Sequence, residues 1–156
     1  MSDAKKLAII ATKGTLDWAY PPFILASTAA ALGYETQIFF TFYGLQLLKK
    51  KLALQVTSLG NPGMPMPMPM PVLLQALPGM QGMMTTMMKK KMKDKGVADL
   101  AELRSLCLEA EVKFVACQMT VDLFDLKISE FIDGIEYGGA ATFFEFAGES
   151  DICLFI

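Results

Sequence analysis

Short apolar runs alternate with helical patterns along most of the chain. Four runs of apolar, β-branched or aromatic side chains predict strands: residues 7–11, 34–42, 114–116 and 151–156. The segments between them carry patterns that predict helices: residues 17–32, 44–52, 80–95, 98–110, 128–132 and 137–147. Strands that alternate with helices in this way form parallel sheets with helices on both faces. The pattern therefore predicts an α/β fold with a mainly parallel sheet.

Several helix ends carry recognisable signals. Gly33 follows the first helical segment as expected of a C-cap, and Pro21 and Pro22 are predicted to mark where its regular part begins. Asp99 is a predicted N-cap, and Glu102 three residues later completes a capping box. These signals agree with the element boundaries that the hydrophobic pattern predicts.

Residues 113–124 pass from a buried strand into a helix within a few positions. The apolar run 114–116 predicts an inner parallel strand, Thr120 is a predicted N-cap, and Asp122 places a carboxylate in the first helical turn. Cys117 is thus expected at the carboxyl end of the strand, where open α/β sheets bind ligands. A helix N-terminus favours the thiolate there, although Asp122 partly opposes this effect. We therefore assign Cys117 as the candidate catalytic residue.

The other two cysteines have structural explanations. Cys107 shares an apolar helical face with neighbouring leucines, and Cys153 lies inside the apolar run of the last strand, so both are predicted to be buried. None of the three cysteines belongs to a C-x-x-C motif, and an odd number excludes complete internal pairing. A core-packing role for Cys117 is the alternative to a reactive one.

The composition excludes several classes of function. The 156 residues include no histidine, which excludes Cys-His and Ser-His-Asp nucleophilic sites and the H-E-x-x-H zinc motif. The net charge of −2 provides no electrostatic footprint for nucleic acid. With 53% hydrophobic and 19% charged residues, the chain is predicted to form one domain over residues 1–156. The first residues lack a secretory signal pattern, so we expect a cytoplasmic protein.

A methionine- and proline-rich flap is predicted at residues 60–95, inserted within the domain. Methionine and proline alternate over residues 64–71, and repeated proline excludes both a regular helix and a membrane-spanning one. Residues 80–95 predict a helix that is apolar in its first half and basic in its second. Three interpretations are open: a flap that packs on a neighbouring subunit, a peripheral membrane contact through residues 64–95, and a Cu(I) site built from thioethers.

In these features the chain resembles the DsrE/DsrF-like sulfur-transfer proteins, in particular the branch associated with rhodanese and TusA-type carriers. The resemblance rests on the opening and closing strands and on four stretches: Thr12-Lys13-Gly14, Asn61-Pro62-Gly63-Met64-Pro65, Ala116-Cys117-Gln118-Met119-Thr120 and Gly138-Gly139-Ala140. Together these span nearly the whole chain. The resemblance implies a flavodoxin-like three-layer α/β fold, a homo-oligomer, and one cysteine, Cys117, that holds sulfur as a persulfide or a thiosulfonate adduct.

The leading hypothesis is therefore a cytoplasmic sulfur carrier or sulfurtransferase of sulfur oxidation. A rhodanese-like or TusA-like protein would pass sulfane sulfur or thiosulfonate to the Cys117 thiolate, and an acceptor thiol would remove it. Lys13 is a further candidate for contact with an anionic adduct. No phosphate-binding loop is apparent, and we assign no cofactor and no metal ligand at the cysteine. The alternatives are a Cu(I)-binding module that uses the methionines, and a scaffold that docks a membrane or a partner while Cys117 is inert.

Overall fold

The structure is a computed structural model that describes residues 3–57, 73 and 76–156. Over this part of the chain the strands are β1 (Lys6–Ala11), β2 (Glu35–Phe40), β3 (Lys113–Cys117), β4 (Glu136–Gly138) and β5 (Ile152–Phe155). The helices are α1 (Leu16–Ala31), α2 (Met80–Asp94), α3 (Leu100–Glu109), α4 (Gln118–Leu123) and α5 (Ala140–Ala147), with 3₁₀ helices at Phe42–Leu48 and Ile128–Glu130.

The strands form one parallel sheet in the order β4-β3-β2-β1-β5. The connections from β1 to β4 each move one position along the sheet, whereas the connection through α5 crosses back to the far edge. Because such crossovers are right-handed, α5 lies on the opposite face of the sheet from α1 and α3. This arrangement confirms the predicted three-layer α/β fold with a parallel sheet, although its strand order differs from that of flavodoxin-like sheets, in which β1 lies between β2 and β3.

The larger part of the core lies between the sheet and helices α1 and α3. Its centre is a group of three fully buried phenyl rings. Phe114 of β3 lies 5.2 Å from Phe40 of β2 and 5.8 Å from Phe23 of α1, measured between ring centroids. Aromatic pairs at these separations add to the free energy gained by burial of apolar surface. This group holds β2 and β3 in register below their carboxyl ends.

A smaller apolar cluster lies on the opposite face of the sheet. It contains Ala8 of β1, Phe39 of β2, Val115 and Cys117 of β3, and Phe143 of α5. Side chains alternate between the two faces along each strand, so Phe114 and Cys117 point to opposite sides. The Cys117 side chain therefore packs in the apolar cluster between the sheet and α5.

The observed elements differ from the predicted ones in several places, and the helix predicted at residues 128–132 is a 3₁₀ helix at Ile128–Glu130. Pro21 and Pro22 lie inside α1, which begins at Leu16, so they do not mark its start. The helix predicted at residues 44–52 is a 3₁₀ helix that begins earlier, at Phe42. Residues 137 and 138, expected at a helix start, belong instead to β4, which pairs with β3.

The described part of the predicted flap is anchored to the core. Met84 and Thr85 of α2 are buried, and the Thr85 hydroxyl accepts a hydrogen bond from the Val56 N–H at 3.0 Å. The Gln81 amide donates to the Val56 carbonyl at 3.0 Å. The Met-Pro alternation at residues 64–71 lies outside the described residues, so the flap and its Cu(I) alternative stay predictions. Among the residues that the structure covers, no helix is long and apolar enough to cross a bilayer.

Candidate functional site

The carboxyl ends of β2 and β3 bring together a cysteine and two threonines. Cys117 is the last residue of β3, Thr41 directly follows β2, and Thr120 lies in the first turn of α4. The Thr41 and Thr120 hydroxyl oxygens are 3.3 Å apart. The Phe42 backbone N–H donates to the Thr120 hydroxyl oxygen at 3.2 Å. Adjacent parallel strands end at the same edge of a sheet, which is why residues so distant in sequence meet here.

The start of α4 differs from the prediction. Thr120 is not the N-cap; Cys117 itself occupies that position, in an extended conformation, and the helix begins at Gln118. Cys117 makes no side-chain capping hydrogen bond, but the Met119 and Thr120 backbone N–H groups of the first turn lie near its thiol and help to lower its pKa. Asp122 lies one turn further on, where its carboxylate accepts a hydrogen bond from the Gln118 side-chain amide at 2.8 Å.

The environment of Cys117 favours the thiolate although the residue is only 4% exposed. Burial by itself raises the pKa of the Cys117 thiol, but hydrogen bonds from Thr120, Thr41 and the Met119 N–H outweigh burial and lower that pKa below its ordinary value. The thiolate is the form that attacks disulfides and persulfides, and a lowered pKa makes it more abundant at neutral pH. Cys117 is thus shielded from water and lies among donors that favour its thiolate form.

The donors around Cys117 suit an anion in particular. The Thr120 oxygen already accepts the Phe42 N–H, so its own proton is free to point at the sulfur or at Thr41. A thiolate can only accept hydrogen bonds, whereas a thiol carries a proton of its own that competes for the same space. The terminal sulfur of a persulfide is also an acceptor. The two hydroxyls are therefore placed to donate hydrogen bonds to an anionic sulfur at this position.

Replacing Thr120 with valine is expected to slow alkylation of Cys117 by iodoacetamide at neutral pH. A hydrogen bond to a charged group contributes about 1.5–3 kcal/mol, so losing one should reduce the rate by about tenfold or more. Because the pKa of Cys117 rises in the variant, the pH–rate profile moves to higher pH. Thr120→Ser keeps the hydroxyl and should retain the parent profile. An unshifted profile in Thr120→Val would show that the hydroxyl does not act on the thiolate.

The other two cysteines occupy contrasting places. Cys107 is fully buried on α3, its thiol donates to the Phe23 carbonyl at 3.3 Å, and burial raises its pKa to about 12. This confirms its predicted place in the core. Cys153, in contrast, is exposed, so the prediction that it is buried is wrong. Among the strands that the structure describes, β5 lies at the edge of the sheet and pairs with β1 alone.

Lys13 is engaged by another side chain. Its ammonium group lies 4.1 Å from the centre of the Trp18 ring, a cation–π contact between the β1–α1 loop and the first turn of α1. The structure therefore places Lys13 at the carboxyl edge of the sheet but against Trp18. Its contact with an adduct on Cys117 stays a prediction.

Comparison with known proteins finds relatives that match nearly the whole chain. The profile of the DsrE/DsrF/DrsH-like family matches residues 3–155. The sulfur carrier protein DsrE2 of Allochromatium vinosum is 78% identical over 158 residues, covering 99% of each chain. The uncharacterized protein YrkE of Bacillus subtilis is 35% identical over 155 residues, covering 97% of each. The crystal structure of the ychN protein of E. coli, only 12% identical, superposes with a TM-score of 0.56 over 97% of this chain and 99% of that one, and shows the shared fold alone.

Proposed function

The chain belongs to the DsrE/DsrF/DrsH-like family, and on this premise we propose that it is a sulfur carrier that holds sulfane sulfur or thiosulfonate on Cys117. The observation that carries the proposal is the position of this thiol. Cys117 caps α4 at the carboxyl edge of the sheet, where hydroxyl and amide donors lower its pKa. A relative with 78% identity is named as a sulfur carrier protein, which supports the same role here.

Loading requires only thiol exchange. The Cys117 thiolate attacks the terminal sulfur of a donor persulfide, R–S–SH, so that a new S–S bond forms at Cys117 while the donor S–S bond breaks. The electron pair of that bond leaves with the donor as the thiolate R–S⁻, and the proton stays on the transferred sulfur or passes to solvent. A donor R–S–S–SO₃⁻ transfers thiosulfonate in the same way, by attack on the sulfur that carries the sulfonate. No external oxidant or reductant is consumed, and no histidine base is required.

Shielding of Cys117 suits a carrier better than a hydrolase or a free redox thiol. Its 4% exposure limits access of water and of small reductants to a bound persulfide. Release then depends on an acceptor thiolate that is brought to the site, which attacks the outer sulfur and leaves the Cys117 thiolate behind. The carrier thus returns to its starting state after each transfer.

We further propose that the relay connects a rhodanese-like donor with a TusA-like carrier in the cytoplasm, and that the protein acts as a homo-oligomer. The resemblance described above supports these partners, and a carrier role requires both a donor and an acceptor. Peripheral membrane contact through residues 64–95 stays a prediction, because much of that segment lies outside the described residues.

The direct test is to load the reduced protein and locate the sulfur. The protein is incubated with polysulfide, tetrathionate or thiosulfate, and its intact mass is measured before and after reduction, followed by peptide mapping. We expect a reducible adduct on the peptide that contains Cys117, with a mass that distinguishes persulfide from thiosulfonate. If Cys117 stays unmodified with every donor while remaining open to alkylation, the sulfur-carrier function is rejected.

A further inference from the structure

A group of exposed apolar side chains lies on the two segments that follow the carboxyl ends of β2 and β3. Phe124, which follows α4, stacks on Tyr43 with 5.9 Å between ring centroids and packs edge-on against Phe42 at 6.1 Å. Met119 and Leu123, four residues apart, occupy one face of α4. All five side chains are between 38% and 64% exposed. We call these five residues the aromatic patch.

The aromatic patch and the thiol share a hydrogen-bonding partner, the Thr120 hydroxyl. The Phe42 N–H donates to the same Thr120 hydroxyl that stabilises the Cys117 thiolate. Phe42 also has φ of +49°, a conformation that a bulky side chain adopts only when surrounding structure enforces it. Hydrogen bonds on both sides of Phe42 hold this conformation. The Thr41 N–H donates to the Ala11 carbonyl, and the Gly44 N–H donates to the Thr41 carbonyl.

Gly44 explains how this strained turn can fit. A Cβ atom at residue 44 would collide with the Ala11 carbonyl at the end of β1, so only glycine allows so close an approach. The turn therefore holds Phe42 and Tyr43 outward over the carboxyl edge of the sheet instead of in the core. Strained backbone of this kind is concentrated at functional sites.

Two carboxylates border the aromatic patch. Asp122 and Asp125 lie on either side of Phe124 in sequence and are exposed. Within the described part of the chain, neither carboxylate takes part in an ion pair. An apolar surface with an acidic border is complementary to an apolar surface with a lysine or arginine border.

We propose that the aromatic patch is the docking surface for the protein that exchanges sulfur with Cys117. This inference rests on the sulfur-carrier function proposed above. The partner is a protein that presents its own reactive cysteine from an apolar face bordered by basic side chains. Docking on the patch places the partner thiol beside Cys117, and it supplies the access that a nearly buried thiol otherwise lacks. Aromatic side chains are the residue type that most often dominates the binding energy of such interfaces.

Binding is tested separately from sulfur chemistry. A reduced TusA-like carrier is titrated into the Cys117→Ser protein by calorimetry, so that no sulfur can be transferred. In that background, Phe124→Ala or Tyr43→Ala is expected to raise the dissociation constant by about tenfold or more, as truncation of an aromatic anchor does. The matched control is Leu32→Ala, because Leu32 is an exposed apolar residue that follows α1 at the amino-terminal edge of the sheet. It should bind as the parent does.

Charge provides a second measurement on the same partner. Replacing both Asp122 and Asp125 with asparagine should slow association and reduce its dependence on salt. Asparagine also suits the φ of +49° at residue 125. Unchanged association in this double variant would contradict the proposed basic border of the partner.

Three binding results would overturn the docking surface. These are absence of carrier binding by the parent, parent-like binding by both aromatic variants, and an equal loss in Leu32→Ala. A lower oligomer mass for Phe124→Ala in light scattering would also overturn it, because the aromatic patch would then be an interface between copies. Failure of the sulfur-carrier function is a different result, namely an unmodified Cys117 after exposure of the wild-type protein to donors.

Discussion

Replacing Cys117 with serine is expected to abolish relay of sulfur through the protein. A serine hydroxyl cannot form the S–S bond that holds the cargo, and the surrounding hydroxyl and amide donors have no thiolate left to stabilise. Sulfur transfer from polysulfide to an acceptor thiol should therefore fall to the rate measured without protein. The measurement is the amount of sulfur delivered to the acceptor over time, with the acceptor mass as readout.

The remaining cysteines provide controls for this experiment. Cys107→Ser should retain relay, because Cys107 is buried on α3 and its pKa of about 12 keeps it a neutral thiol. Cys153→Ser should retain relay too, since β1 and β2 separate β5 from β3 in the sheet. Small donors can modify the exposed Cys153, so peptide mapping must accompany the mass. Loss of relay in Cys153→Ser, with relay retained in Cys117→Ser, would move the cargo site to β5.

Replacing Phe114 with alanine is expected to lower the free energy of unfolding by about 3–5 kcal/mol. Phe114 is fully buried and contacts both Phe23 and Phe40, so truncation leaves a cavity between β2, β3 and α1. A loss of that size is a large fraction of the roughly 5–15 kcal/mol that stabilises a typical domain. Urea denaturation followed by circular dichroism measures the change as a shift in midpoint.

Phe155→Ala is the matched control, because it removes the same atoms from a side chain that is 73% exposed on β5. Its midpoint should stay close to that of the parent. If Phe114→Ala unfolds at the parent midpoint, the three-ring group does not hold β2 against β3. Another interaction would then have to keep Thr41 and Thr120 together at the carboxyl ends of β2 and β3.

The junction at Cys117 is predictable from sequence because its determinants are local. An apolar strand, a cysteine and a helical pattern follow one another within residues 113–124, and the structure places them in that order. The exact cap is not predictable in the same way. Both Cys117 and Thr120 can precede a helix; in the structure Cys117 does so, and Thr120 lies in the first turn, where its hydroxyl accepts the Phe42 N–H.

Thr41 illustrates what the hydrophobic pattern cannot provide. It is 79 residues from Thr120, and only the adjacency of β2 and β3 brings the two hydroxyls within 3.3 Å. The sequence pattern includes Thr41 in the second strand, where a threonine needs no further explanation. A signal does exist in hindsight: polar residues that directly follow neighbouring parallel strands meet at one edge of the sheet.

The strand conformation of β4 and the exposure of Cys153 are mispredicted because both depend on which strands are neighbours in the sheet. β4 has only three residues, two of them Tyr137 and Gly138, and its strand conformation depends on pairing with β3. Cys153 lies in a run as apolar as the inner strands, yet among the described strands β5 pairs with β1 alone and its side chains are largely exposed. Apolar composition predicts a strand here but does not predict how many layers cover it.

The position of β1 has a consequence for how the chain reaches its native state. One edge of β1 pairs with β2, but the other pairs with β5, and the Lys6 N–H bonds to Asp151 across 145 residues. Such distant contacts slow folding, because loop closure must precede any gain from pairing. During synthesis β1 therefore stays half paired until the ribosome has released β5. A nascent chain stalled before that point exposes the hydrogen-bonding edge of an apolar strand, the kind of edge that recruits strands from other chains.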